Sequence, residues 1–304
     1  MTVLIIGGSG FLGAELLRQA CAAGWDVAAT FHSRPGDPAL AAWHQLDIRD
    51  PARVEAVLKA VAPCAVIDVT SGGAEWKVTA DGSVHIAMAA AELGIRLVHV
   101  SSDAVFSGSR VHYDETCDPD PITPYGAAKA AAETAVRLLS PDAAVARTSL
   151  IVGNGRSDHE RLAHALIAGT RQGALFTDDV RCPVHVEDLA AALWEITRSD
   201  AAGLFHLAGP DALSRYELGV HIARRDGLDV SRLPAGRRAD TGVPGPLDVR
   251  LDSRATQRRL STRLRGALEF LEVDCEAITS CGKPAPTGRG TSCTPSSSPP
   301  ASRR

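Results

Sequence analysis

Tyr125 and Lys129 stand four residues apart in PYGAAK (124–129). At i and i+4 two side chains share one face of a helix. A phenol titrates near ~10 in isolation. An ammonium beside it favours the phenolate, so Tyr125 becomes a better proton donor to a carbonyl oxygen. Upstream, an apolar run ends in Ser101-Ser102-Asp103, the start of SSDAVFSG (101–108). A serine there would bond the same carbonyl oxygen. These residue types suit proton delivery to a substrate carbonyl.

A second group of residues would hold what reacts with that carbonyl. GGSGFLG places Gly7, Gly10 and Gly13 at G-x-x-G-x-x-G spacing, directly after TVLII and ahead of a helical stretch. That position separates a dinucleotide loop from a plain strand–turn–helix. Gly7 allows the tight turn, Gly10 lets the backbone approach a pyrophosphate, and Gly13 permits close helix–strand packing. Phe11 and Leu12 open the helix, whose free amides and dipole favour phosphate. The next strand, VAATF (27–31), is followed by His32, Ser33 and Arg34, with no acid before Asp37. NAD-specific sites place an acid there for the ribose hydroxyls. Arg34 instead offers a guanidinium fork to a 2′-phosphate, so NADPH is the expected cofactor, with NADH left open. In LDIRD (46–50), at the end of a short strand, Asp47 would accept from the adenine amino group and Ile48 would pack near the ring. Asp50 before Pro51 also reads as a helix N-cap. Thr70, Tyr125 and Lys129 belong to the same expected cofactor set, Lys129 at the nicotinamide ribose.

The elements needed to position these groups alternate. Apolar runs at 2–7, 27–31, 65–70, 96–100 and 144–151 read as strands, and 11–23, 51–62, 84–93 and 125–139 as helices. Such alternation implies a parallel sheet covered on both faces, a Rossmann-type, doubly wound α/β fold. After Gly153 the rhythm loosens. Helices are expected near 159–171, 187–198, 214–225 and 264–272, with a short strand at 204–208. This gives a dinucleotide-binding domain over 1–152 and a smaller C-terminal substrate lobe over 153–273, some of whose segments return to the sheet domain. From 274 to 304 the chain turns to Ser, Pro, Gly, Thr and Arg, too polar to bury a core and expected to be disordered.

Composition removes several classes of function. A formal net charge of −4 over 304 residues gives no electrostatic case for nucleic acid or an anionic membrane. No run of eighteen apolar residues occurs. The apolar start lacks a basic leader and reads as strand and turn. Seven cysteines (Cys21, Cys64, Cys117, Cys182, Cys275, Cys281 and Cys293) are odd in number, irregularly spaced and without a CxxC pair. Reduced thiols in a cytoplasmic protein are expected. No metal site is expected. His159 and His164 lie five apart, so at ~100° per residue they point about 140° from each other on a surface helix. Cys182 and His185 fall in a strand leading into a helix at Asp188.

The glycine loop, SSDAVFSG and PYGAAK together resemble the extended short-chain dehydrogenase/reductases. The nearest likeness is to the dTDP-4-dehydrorhamnose reductases, through HSRP (32–35), Arg147-Thr148-Ser149, FHLAGPDALSRYELG (205–219) and PLDVRLDS (246–253). The resemblance spans about residues 2 to 272. It implies Ser102, Tyr125 and Lys129 as a catalytic triad, and Asp103 and Val105 as substrate-side positions along with Ser102 and Tyr125. It also implies a keto group reduced in a nucleotide-linked 4-keto sugar. The sequence departs from the family at Ser102, where threonine is usual, and at DVTSGG (68–73), where the family is rich in asparagine and alanine. Thr79 lies where a helix asparagine is common, and Leu150 where many members have tryptophan near the sugar nucleotide. Two rivals remain: an NAD-dependent sugar-nucleotide epimerase or dehydratase, and a non-catalytic regulatory subunit of the same fold. Retention of Ser102, Tyr125 and Lys129 argues against the second. The expected partner is a small molecule, with a homodimer left open.

Overall fold

The structure, a computed structural model, describes residues 2–272; the tail expected over 274–304 lies outside the described residues. Five strands come first: β1 Val3–Ile6, β2 Val27–Phe31, β3 Ala42–Gln45, β4 Ala65–Asp68 and β5 Arg96–Ser102. After a short β6 at Val111–Tyr113 comes β7, Ala144–Thr148, which is followed by four two-residue strands, β8 Ile151–Val152, β9 Leu175–Phe176, β10 Val180–Arg181 and β11 Val184–His185, and then by β12, Gly203–Leu207. Seven of these make one parallel sheet in the order β12-β7-β5-β4-β1-β2-β3. The chain runs outward from β1 in one direction, then restarts at β4 and runs in the other. A crevice therefore opens beyond the carboxyl ends of β1 and β4, where open α/β sheets bind ligands.

The apolar run of β1 is continuous because both faces are covered. Ile5 packs with Leu16 and Leu17 of helix α1 (Phe11–Ala22), while Leu4 and Ile6 face Val54 and Leu58 of α2 (Pro51–Val61) and Ile86 of α3 (Ser83–Glu92). Asp50 caps α2 by accepting from the amides of Ala52 and Arg53, with Pro51 at the first helical position. Helix α4, Pro124–Leu139, starts on a Thr123 cap that accepts from the Gly126 amide.

The second part of the chain is interleaved with the first. Helix α5, Asp158–Ala168, begins with a Ser157–Glu160 capping box. Helix α6, Val186–Thr197, lies on the sheet, and its Trp194 indole donates to Leu16 O of α1 at 3.1 Å. Strand β12 completes the sheet beside β7. So 186–197 and 203–207 return to the sheet, while α5, α7 (Arg215–Arg225) and a terminal α-helical turn at Ala267–Leu271 bury a separate cluster around Leu166, Leu218, Ile222 and Leu271.

The chain departs from its sequence pattern in three places. The run 144–151 breaks at Thr148, and β8 turns away to pair with β11. The helix expected from 264 begins at Ala267. The helix expected from 84 is led by a π-helical segment, Lys77–Gly82, at whose end Gly82 sits against Ile48 with no room for a Cβ.

Candidate active site

One cleft of about 1000 Å³ follows the crevice and continues under the lobe. At one end is the glycine loop. Gly7 has φ +90°, a conformation that L side chains rarely adopt. The Gly10 amide closes the turn onto Gly7 O at 3.0 Å, and Gly10 caps α1 with no side chain over its first amides. Those donors face the cleft, as a bound phosphate requires. Gly13 lines no part of it; a Cβ there would meet Gly7 O at 2.4 Å, so its absence is what lets helix and loop close up. Gly7, Gly10, Phe11 and Leu12 all line the cleft, joined by Thr70 and Val69 from the end of β4. This cradle fits a dinucleotide.

The adenine end differs in detail from the sequence reading. Asp47 and Ile48 line the cleft, but the Asp47 carboxylate is taken by Arg49, which donates from Nε at 2.9 and 3.1 Å and from Nη2 at 2.7 Å. Arg49 holds the Asp47 carboxyl down to about 2. Arg49 also lines the cleft and reaches Glu75 at 3.3 Å. Arg34, by contrast, does not reach the cleft. The chain bends outward after β2, the cleft edge is formed by Phe31 and His32, and the Arg34 side chain is exposed.

In the middle, β5 delivers Ser102 and α4 delivers Tyr125 and Lys129, all three lining the cleft. Their approach depends on Gly126. A Cβ there would lie 2.0 Å from Ala104 O, in the 3-10 turn Asp103–Val105 that follows Ser102. Burial pushes the Tyr125 phenol above its ordinary value, and the neighbouring hydroxyls of Ser102 and Ser71 pull it back. The net direction is upward, against the lowering expected beside Lys129, and burial is its largest cause. The buried Lys129 ammonium donates to Thr70 O at 3.1 Å and Val100 O at 3.0 Å. Ser71, which lines the cleft beside Tyr125, carries no motif signal in the sequence.

Two substrate-side expectations change. Asp103 lines the cleft, but Ser149 Oγ donates to its Oδ2 at 2.6 Å and Ser102 Oγ to its Oδ1 at 3.2 Å. Val105 does not reach the cleft at all. The 3-10 turn rotates it inward, and it is fully buried with Phe106, Tyr113 and Val249.

Under the lobe the cleft ends in a cluster absent from any single motif. β10 pairs with Leu213–Ser214, which sets Arg181 and Asp179 beside Arg215. Around Asp179 stand Arg181 Nη1 at 2.9 Å, Arg238 Nη1 at 3.3 Å and Arg215 Nε at 3.6 Å, and Arg181 Nε lies 3.6 Å from Asp103. His159 belongs here too, with Arg215 Nη1 3.1 Å from its Nδ1. Its expected place on a surface helix is corrected: the start of α5 faces the cleft. Burial, and then Arg215, push the His159 ring down to about 4. His164 points elsewhere and meets Asp226 at 2.6 Å. Cys182 is buried, and His185 caps α6, which starts at Val186 rather than Asp188.

A doubly wound parallel sheet and a glycine loop at its switch point define a dinucleotide-binding α/β protein, with Ser102, Tyr125 and Lys129 in the same cleft. Residues 1–269 match the family described as the RmlD substrate binding domain, and the chain belongs to that family. It is 30% identical over 259 residues to a dTDP-4-dehydrorhamnose reductase of Mycobacterium tuberculosis, covering 80% of this chain and 82% of that one. It is 27% identical over 273 residues to the methionine adenosyltransferase 2 subunit beta of Xenopus laevis, covering 82% and 79%. The solved dTDP-4-dehydrorhamnose reductase of Bacillus anthracis, in complex with NADP, shares the fold with a TM-score of 0.76 at 22% identity, over 89% of this chain and 96% of that one. No helix among the described residues is long and apolar enough to cross a membrane.

Proposed function

We propose that this protein is an NADPH-dependent reductase that converts a keto group of a nucleotide-linked 4-keto sugar to an alcohol. The observation that carries the reading is the meeting of the glycine loop with Ser102, Tyr125 and Lys129 in one cleft. NADPH bound along the loop supplies the hydride. Gly7 and Gly10 keep the loop backbone bare toward the diphosphate, and the first amides of α1 donate to it. The exposed edge after β2, where His32 stands 3.7 Å from Asp47 and Arg49 engages that carboxylate, accommodates a 2′-phosphate. Lys129 directs its remaining hydrogen to the ribose. Ser102 donates to the substrate oxygen and holds it at the phenol. Tyr125 gives that oxygen its proton, and the Ser102 and Ser71 hydroxyls favour the phenolate left behind. At the lobe end Arg181, Arg215 and Arg238 line the cleft with Asp103, Asp158 and Asp179. The guanidinium forks suit the diphosphate between nucleotide and sugar.

The test is NADPH oxidation against a panel of nucleotide-linked keto sugars. Turnover of at least one 4-keto member, absent for the free sugar, is the expected result. Tight NADPH binding with no turnover of any member would favour a non-catalytic regulatory subunit of the same fold. A cofactor that stays bound and is regenerated within each turnover would favour an epimerase.

A further inference from the structure

Beneath Lys129 lies a polar group that the reaction as described does not use. Asp68, the last residue of β4, is 1% exposed. Its Oδ1 accepts from the Thr70 amide at 3.0 Å and the Thr70 hydroxyl at 2.6 Å. Its Oδ2 accepts from Ser83 Oγ at 3.2 Å and pairs with His99 Nδ1 at 2.9 Å. His99 Nε2 is buried without a partner, so the ring gives its one satisfied hydrogen to the carboxylate. The Thr70 carbonyl, clamped by these bonds, is one of the two on which the Lys129 ammonium rests.

We infer that Asp68 is a positioning residue for Lys129: its buried carboxylate is the counter-charge of the ammonium and, through Thr70, fixes the carbonyl that orients it. A buried ammonium needs an opposite charge to stay protonated. Two acids face Lys129, Asp68 from β4 and Glu133 from its own helix. Glu133 is already matched: Arg147 from β7 donates to it from Nε at 3.0 and 3.1 Å and from Nη2 at 2.8 Å, and Ser101 Oγ donates at 2.6 Å. Asp68 has hydrogen-bond donors but no guanidinium. Burial alone would raise its carboxyl; His99, Lys129 and Thr70 override that and hold it down to about 2. The His99 ring on β5 also faces Asp68, and Arg147 on β7 faces Glu133. Burial lowers the Lys129 ammonium and the two acids raise it again. Loss of the Asp68 charge therefore leaves burial less opposed.

This inference rests on the reading that Lys129 serves the reaction, so its test includes a measurement that needs no substrate. The chain has four lysines, Lys59, Lys77, Lys129 and Lys283. With lysine labelled at the ε carbon, Lys129→Arg assigns the Lys129 NMR signal in the full-length protein. Asp68→Asn keeps the shape and an acceptor for Thr70 but removes the charge. The expected result is a Lys129 titration midpoint lower by about one pH unit or more, with the alkaline limb of kcat/KM moving down with it. Activity at pH 6 should stay near wild type, and Asp68→Glu should restore the midpoint. An unmoved midpoint in folded Asp68→Asn, or an activity loss equal at every pH, overturns the inference. Should Asp68→Asn fail to fold, the wild-type titration decides, and a Lys129 that is neutral at pH 7 overturns it. A shifted midpoint in a protein that reduces no keto sugar leaves the pairing standing and removes the proposed function instead.

Discussion

The two ends of the cleft are built by different means. At the glycine end the donors are backbone amides, set by one continuous stretch of chain, Gly7 to Gly13, that a strand and a helix hold from both sides. At the lobe end the donors are side chains. Arg181, Arg215 and Arg238 come from three separate segments and share one buried aspartate, Asp179. A backbone site carries partial charges whatever the pH and tolerates little change in shape. A side-chain site carries whole charges, which must be balanced after burial and which respond to protons. The first kind suits a cofactor common to many proteins; the second can be re-specified one residue at a time, as a site that chooses a substrate must be.

Tyr125 lies between the two and gives the largest expected effect. Tyr125→Phe keeps the ring and removes the proton donor. kcat should fall by roughly 10²–10⁴, the usual range for a positioned acid, while NADPH affinity measured by titration stays within a factor of two or so. Full activity in this variant would remove the tyrosine from the mechanism. A loss of cofactor binding would mean that the middle of the cleft is part of the glycine end.

At the lobe end, Arg215→Ala deletes one cation while leaving Arg181 and Arg238 on Asp179. A charge-assisted hydrogen bond is worth roughly 1.5–3 kcal/mol, so KM for the nucleotide sugar should rise about 10- to 150-fold, with kcat and NADPH affinity little changed. A fall in kcat at constant KM would instead place Arg215 at the reacting carbon. The same end should carry a pH response. His159 is held down to about 4 in the fold, whereas a free histidine titrates near ~6.5. Between those values the unfolded chain binds the proton and the folded one resists it, so stability is full above pH ~6.5 and falls as the pH drops toward 4. At pH 5 the loss from this residue should be about 1–2 kcal/mol. His159→Gln removes it. Urea midpoints at pH 7 and pH 5 should therefore differ less for the variant than for wild type, and an equal pH dependence would mean that His159 is solvated.

The same contrast explains what the sequence made legible. The glycine loop, Ser102, Tyr125 and Lys129 each lie in a short motif whose spacing fits a known local geometry, and the structure brings them to one cleft. The six long strands besides β3 stood out as apolar runs. The lobe cluster had no such signature, because Asp179, Arg181, Arg215, Arg238 and His159 are brought together only by tertiary packing and by pairs of two-residue strands too short to show a period. Val105 misled for a local reason: after Ser102 the chain leaves extended geometry for a 3-10 turn, so alternation no longer tells inward from outward. Lys129 and Tyr125 share a helix face as their spacing requires, and Glu133 stands a further four residues on, yet Asp68 reaches Lys129 from β4, which no spacing rule couples to it. Asp50 caps α2, as its place before Pro51 led one to expect.

The smallest effect is expected at Arg34, which tests whether any of the glycine end depends on side-chain charge. The sequence alone would have Arg34 grip the 2′-phosphate of NADPH. The structure leaves it exposed and outside the cleft, with His32 at the edge. An exposed ion pair contributes roughly 0–1 kcal/mol, because solvent screens it and a long side chain must be ordered. Arg34→Ala should therefore weaken NADPH by about fivefold or less and leave NADH unchanged. Raising the salt from low ionic strength to roughly 0.5 M should erase even that difference, since exposed charges are screened over a few ångströms there. Titration of both cofactors against wild type and variant decides it. A loss beyond tenfold that survives high salt would mean that the segment after β2 closes over the bound phosphate and shields the contact. In that case the glycine end, too, would rely on a side-chain charge, and the contrast between the two ends of the cleft would no longer hold.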